Sequence, residues 1–213
     1  MKELRCGHEL GSKNPRWPFP SAQWVQNCER LVELDGKLPA ILSGQKQPVD
    51  TAERLALAQL CQMPCKKCYA DAVRFFRDAF DEGPKLADDL DAQHRYTAAC
   101  AAALAGCGLG QDADKLDTKE RARLRQQALD WLRADLKAYR QAMEKSAGKD
   151  GPAIAQRMQH RLKADDFAGV RGAESLAKLP EAERTEWQKL WQEVEALQQR
   201  AAERPAAPPS ARP

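Results

Sequence analysis

Three cysteines lie close together in the segment CQMPCKKC, residues 61–68. Thiolates bind zinc, and Cys65 and Cys68 have the spacing of a zinc knuckle, with Cys61 as a third candidate ligand. A fourth ligand would come from Cys6, His8 or His94. The same spacing also fits three irons of a four-iron cluster, but that chemistry normally sits in a barrel loop after a strand. The context favours a third interpretation, in which a helix ends, the chain turns at Pro64 and small thiols pack inside.

Two further segments resemble sites of binding chemistry. The glycine-rich segment GCGLG, residues 106–110, follows a predicted helix, whereas a dinucleotide fingerprint needs a strand before it and a helix after it. We therefore interpret it as the end of a helix. Asp112, Asp114 and Asp117 resemble a calcium loop, but Leu116 occupies a ligand position and no glutamate closes the loop. We expect a loop and a helix cap there.

The sequence predicts no catalytic residues and no cofactor. A protein kinase would need a glycine-rich loop, a lysine strand and a catalytic aspartate. His94 and Arg95 are followed by Tyr96 where the aspartate would stand, and Asp166-Phe167 is followed by alanine. The three histidines are too scattered in the sequence to suggest a triad with a serine or cysteine. We expect a protein that is not an enzyme.

The composition of the chain argues against a nucleic acid or a membrane as its partner. The 34 basic and 31 acidic residues alternate along the same segments and leave a net charge of +3, so we expect no nucleic-acid partner. The mean hydropathy of -0.68 predicts no membrane span. The first residues lack the apolar centre of a signal peptide, and the seven cysteines are an odd number. We expect a cytoplasmic protein with free thiols.

Apolar residues recur at helical spacing along most of the chain, so we predict an all-α fold. Residues 1–20 contain three prolines and two glycines, which predicts an irregular segment. The helical domain is expected over residues 21–204, with an early break at Gly36 and Pro39. Asp50 with Glu53, and Asp117 with Glu120, predict two capping boxes at helix starts. The proline- and alanine-rich tail, residues 205–213, is expected to be disordered.

Residues 51–84 resemble a tetratricopeptide repeat. Ala72, Phe76, Ala79 and Pro84 stand at the small, aromatic, small and closing positions of the repeat's second helix. A less regular pair of helices is expected over residues 90–143. This resemblance implies a right-handed stack of antiparallel helix pairs, with helical caps before and after it. It also implies a non-catalytic module that binds a protein or peptide.

Two segments of the chain also resemble part of a larger kind of protein. The segments HRYTAACAAALAG, residues 94–106, and ALDWLRADL, residues 128–136, resemble the closing region of large bacterial eukaryote-like Ser/Thr protein kinases. A detached regulatory end of such a kinase is therefore an alternative function. A zinc-binding or redox role of Cys61, Cys65 and Cys68 is the second alternative. Arg95, Arg121, Arg125, Lys66 and Lys67 could give a binding groove cationic character, although solvated surface charges are the simpler interpretation.

Overall fold

The computed structural model describes residues 1–146 and 149–203, and it is all-helical over these residues. The predicted all-α fold class is confirmed. The α-helices are α1 (Lys2–Gly11), α2 (Ser21–Leu42), α3 (Thr51–Gln62), α4 (Tyr69–Glu82), α5 (Pro84–Asp88), α6 (His94–Gly106), α7 (Thr118–Lys145), α8 (Gly151–Lys163), α9 (Ala173–Ala177) and α10 (Glu181–Ala202). Short 3-10 helices span Ala113–Lys115 and Asp165–Val170.

Helices α3 and α4 form an antiparallel pair. The guanidinium of Arg54, at the start of α3, contacts the carboxylate of Glu82, at the end of α4. At the other end of the pair, the N–H of Cys68 donates to the carbonyl of Cys61 at 2.8 Å. The residues predicted at the small and aromatic positions of α4 are fully buried; they are Ala72, Phe76 and Ala79. Ala58 of α3 is fully buried as well. Alanines at these positions let the two helix axes approach closely.

Helix α6 lies at the centre of the molecule, in contact with α4, α7 and the 3-10 helix Asp165–Val170. A helix surrounded on all sides must be apolar all round, and its side chains must be small where neighbours approach closely. The run of alanines in α6 meets both demands. The buried alanines are Ala98, Ala99, Ala101, Ala102, Ala103 and Ala105.

Helix α10 packs against α7 and α8. Ion pairs join α7 to α10 in the same residue order, from Arg125 with Glu183 to Arg140 with Glu193, so these two helices run parallel. Trp187 and Trp191 of α10 are buried, and the Trp191 indole N–H donates to the carbonyl of Val170 at 2.8 Å. Trp24 of α2 is 44% exposed.

The prediction of an irregular segment over residues 1–20 is wrong for its first half, because Lys2–Gly11 forms α1. The prolines begin only at Pro15, after the helix has ended. Helix α1 is held against α2 by a hydrogen bond of 2.9 Å between His8 Nδ1 and Ser21 Oγ. The indole of Trp17 folds back against Gly11, where a methyl group would meet the ring at 2.4 Å.

The predicted break at Gly36 and Pro39 is also wrong, because α2 continues to Leu42. Leu34, Leu38 and Ile41 are buried at helical spacing on one side of α2. Burial of this apolar face outweighs the propensity cost of the glycine and proline.

Both predicted helix starts are present at Asp50 and Asp117. Asp117 and Glu120 form a complete capping box. At α3 the Asp50 side chain accepts from the N–H of Glu53, while Glu53 accepts from Val49. Among the described helices, none has both the length and the apolar character needed to cross a membrane. The tail predicted to be disordered, residues 205–213, lies outside the described residues.

Candidate functional site

The structure separates the three cysteines of residues 61–68. Cys61 is buried at the end of α3, Cys65 is exposed in the turn, and Cys68 is partly buried at the position immediately before α4. Within the described part of the chain, one group of three potential ligands lies close enough to share a metal ion, and it contains Cys68 with Asp71 and Asp112. Cys65, Cys6, His8 and His94 do not belong to this group.

Two loops meet at this group. Lys67 adopts a left-handed conformation with φ of 49°, and its carbonyl accepts a hydrogen bond of 2.8 Å from the N–H of Gln111. Gly110 has φ of 112°, and a Cβ there would lie 2.6 Å from the same carbonyl. A residue with a side chain would therefore push the loops apart. Gly110 lets the loop after α6 reach the start of α4 and brings Asp112 to it.

Asp112 acts as a cap for α4 although it lies 41 residues further along the chain. Its Oδ2 accepts a hydrogen bond of 3.0 Å from the N–H of Asp71. Cys68, the residue before α4, makes no such bond with its own side chain. The first N–H groups of a helix have no partner within the helix, so a carboxylate there satisfies one of them and interacts favourably with the helix dipole.

The thiols and carboxylates of this group are close to one another and partly shielded from water. Burial raises the pKa of the Cys68 thiol, and the charges of Asp112 and Asp71 raise it further. Burial also raises the pKa of Asp71, an effect that Arg74 opposes. The pKa of Cys61 is raised to about 12, mainly by burial. A protonated thiol is a poor nucleophile and a poor metal ligand, so either role would require Cys68 to lose its proton.

A second set of buried charges joins α6, α7 and α8. Asp135 contacts Arg161 at 2.6 Å and Arg95 at 3.5 Å. The Arg161 guanidinium also lies 4.6 Å from the ring centre of Tyr96 and 4.8 Å from that of Tyr139. Charged side chains enclosed in this way are paired because an unpaired buried charge is costly. This network joins α6, α7 and α8 to one another.

The five cationic residues considered for a binding groove do not line one groove. Arg95 is buried, Arg125 pairs with Glu183, and Lys66 pairs with Asp35. Arg121 donates to the carbonyl of Ala113 at 3.1 Å, while Lys67 is exposed in the turn before α4. Four of the five are therefore engaged inside the molecule, which the sequence alone could not show because their partners are distant in the chain.

A different groove, with a volume of about 410 Å³, lies between α4 and α7. Its lining combines apolar and basic side chains, among them Val73, Arg74, Arg77, Leu116, Arg123 and Leu124. Arg77 and Arg123 are exposed and form no ion pair with the described residues, whereas Arg74 contacts Asp71 at 3.4 Å. The two acidic residues of the lining are already engaged, Glu120 in the α7 cap and Asp130 with Gln126 at 2.9 Å.

Sequence reasoning missed both Asp112 as a member of the thiol group and Arg77 with Arg123 as neighbours across a groove. Each arises from the packing of elements that are far apart in the chain. The glycines of the GCGLG segment were the signal that the sequence offered for Asp112. Glycine permits a left-handed backbone and the close approach of two chain segments, and Gly108 and Gly110 adopt that conformation. The chain matches no protein-family model, no curated protein and no solved structure.

Proposed function

We propose that the chain is a non-catalytic protein-interaction module of the tetratricopeptide-repeat kind. We further propose that a short acidic and apolar segment of a partner protein binds in the groove between α4 and α7. The observation that carries this proposal is the presence of two exposed guanidinium groups, Arg77 and Arg123, beside apolar side chains of the same groove. Peptide grooves commonly combine an apolar floor with a few charged groups that fix the orientation of the ligand.

The charge of the groove defines the chemistry of its occupant. Three arginines face two carboxylates that already accept hydrogen bonds within the chain. Arginine donates paired hydrogen bonds to a carboxylate, and it loses less on desolvation than lysine does. Val73, Leu116 and Leu124 offer contact to leucine- or phenylalanine-sized side chains. A segment with alternating carboxylates and apolar side chains complements both features.

The arrangement of helix pairs supports a repeat-type stack. The pair α3 and α4 is followed by α6 and α7, and α4 packs against α6. The second helix of one pair thus contacts the first helix of the next, as neighbouring units of a helical repeat do. The alanines at these contacts are fully buried, among them Ala72, Ala99 and Ala128. A right-handed stack with helical caps before and after it is part of the proposal.

Selection from a displayed library of short random peptides tests the proposed function. We expect the selected peptides to be rich in Asp and Glu interleaved with Leu and Phe. Binding should weaken by about 10-fold or more in the double variant R77E/R123E, because charges in contact with a ligand change from attractive to repulsive. It should also weaken as salt is added.

The matched control is R30E/R200E, which makes the same change of charge at two exposed arginines outside the groove. We expect this control to bind the selected peptides like the unmodified chain. Equal weakening in both double variants, or selected peptides without acidic residues, would contradict the proposal.

A further inference from the structure

Asp112 holds a buried carboxylate oxygen that nothing in the described chain satisfies. The residue is 4% exposed, and its Oδ2 accepts the N–H of Asp71. Its Oδ1 is inaccessible to solvent and has no hydrogen-bond partner. Capping of α4 accounts for one oxygen and leaves the other unexplained. Buried polar atoms without partners are rare, and a bound ion is one of the standard explanations for them.

The side chains around Asp112 have the composition of a metal site. Cys68 offers a sulfur, and Asp71 and Asp112 each offer an oxygen; these three atoms lie within 4.8 Å of one another. A tetrahedral zinc ion, with bonds of about 2.3 Å to sulfur and about 2.1 Å to oxygen, keeps its ligand atoms about 3.5 Å apart. The side chains would therefore close in by roughly 1 Å, which small rotations of three short side chains can supply.

No cationic side chain contacts the unpartnered oxygen of Asp112. A zinc ion that binds here would displace the proton of Cys68 and make it an anionic ligand beside the carboxylates of Asp71 and Asp112. The positive groups that face these side chains are Arg74, 3.4 Å from Asp71, and Lys115, which acts electrostatically on Asp71 and Cys68. Neither is placed to contact Asp112 Oδ1, which has no partner. A small divalent cation would interact with all three ligands at once.

We propose that Cys68, Asp71 and Asp112 bind a zinc ion at the start of α4, where the loops around Lys67 and Gly110 meet. The thiolate selects a borderline-soft metal over magnesium or calcium, which bind oxygen ligands. Three protein ligands leave one position of the tetrahedron for a water molecule. This ligand set differs from the cysteine triad of residues 61–68, because Cys65 is exposed outside the group.

Equilibrium dialysis of the full chain against zinc, followed by elemental analysis, tests the proposal. We expect one zinc ion per chain in the unmodified protein and in C65S. We expect affinity to fall at least ~10-fold in C68S and in D112N, since each removes a direct ligand. The variants C65S and C68S make the same chemical change in the same segment. They therefore distinguish the site at Asp112 from a site built on the cysteine motif.

Cobalt provides a second measurement that does not depend on stability. Co²⁺ in place of zinc should give a sulfur-to-cobalt charge-transfer band that persists in C65S and disappears in C68S. Circular dichroism of each variant without metal verifies that it is folded. Zinc content near zero in the unmodified chain, equal zinc affinity in all variants, or equal loss in C65S and C68S would overturn the proposal. Neither Arg77 nor Arg123 belongs to the ligand group, so R77E/R123E should keep its zinc.

Discussion

Arg161 of α8 and Asp135 of α7 are in contact at 2.6 Å, and their side chains are 3% and 5% exposed. Burial raises the pKa of Asp135, while the positive charges of Arg161 and Arg95 oppose this rise. The pair therefore places charges where water cannot solvate them, and each partner depends on the other. The pair adds little net stability, because the desolvation of two charges offsets their attraction. Removing one partner is costly because the other charge would stay buried without a counter-charge.

Replacing Asp135 with alanine should destabilise the fold strongly. Arg161 and Arg95 would both remain in the interior with their shared carboxylate removed. Breaking a buried pair from one side typically costs about 3–5 kcal/mol. Urea unfolding followed by circular dichroism measures this cost. Asp130→Ala, at an exposed position of the same helix, should change stability by only about 0.5 kcal/mol. Similar losses in the two variants would show that the network does not hold these helices together.

Two glycine-to-alanine changes should have opposite effects. Gly110→Ala places a methyl group 2.6 Å from the Lys67 carbonyl, at a backbone conformation with φ of 112°. We expect a loss of about 1–3 kcal/mol. Gly36→Ala lies inside α2, where nothing is within 4 Å of the added carbon, and should gain about 0.5–1 kcal/mol. Thermal unfolding compares the two variants, and a stabilising Gly110→Ala would contradict the close approach of the two loops.

Stability should depend on the ionisation of Glu53 in acid. The N–H of Val49 donates to its carboxylate, and Lys37 adds a second contact, so the pKa of Glu53 lies below its ordinary value of 4.5. A carboxyl group with a lowered pKa in the fold contributes stability above its unfolded pKa. That contribution is lost as the pH falls through the folded value. The difference in unfolding free energy between the unmodified chain and Glu53→Gln should therefore shrink below about pH 4.5.

The control for this pH dependence is Glu195→Gln, at an exposed position of α10. The stability difference between this variant and the unmodified chain should stay constant over the same range. A pH-independent effect of Glu53→Gln would show that the contacts with Val49 and Lys37 do not favour the ionised carboxylate.

The cysteines should differ in reactivity while the chain is folded. Cys6 and Cys65 are exposed, whereas Cys100 is buried in α6 and burial raises its pKa well above the ordinary value. Alkylation with iodoacetamide, followed by mass spectrometry, should label Cys6 and Cys65 first and spare Cys100. In denaturant all three should react at similar rates. Early labelling of Cys100 in the native chain would mean that α6 is more accessible than its packing implies.

Local patterns in the sequence were sufficient for the class of fold and for much of one helix pair. Ala72, Phe76 and Ala79 are buried as their spacing indicates, and Asp117 caps α7 as its neighbour Glu120 implies. The propensities of Gly36 and Pro39 were misleading, because the buried side of α2 decides whether that helix continues. Propensity is a local quantity, whereas burial depends on the whole molecule.

The candidate sites were harder to predict because they depend on distant partners. Cys68 could be suspected from its motif, but Asp112 joins it only through the meeting of two loops. Four of the five cationic residues chosen from the sequence are engaged within the molecule, while Arg77 and Arg123 had no distinguishing local pattern. The likeness to the closing region of bacterial kinases stays a prediction, and the reading frame upstream would test it.

The bond from Asp71 to Asp112 has a consequence for how the molecule folds. Helix α4 receives its cap from a loop that follows α6, so the partner of the Asp71 N–H comes from outside the pair of α3 and α4. A fragment that ends before α6 would leave the first turn of α4 frayed. The two helix pairs should therefore melt in a single cooperative transition, unlike repeat arrays whose units unfold one after another.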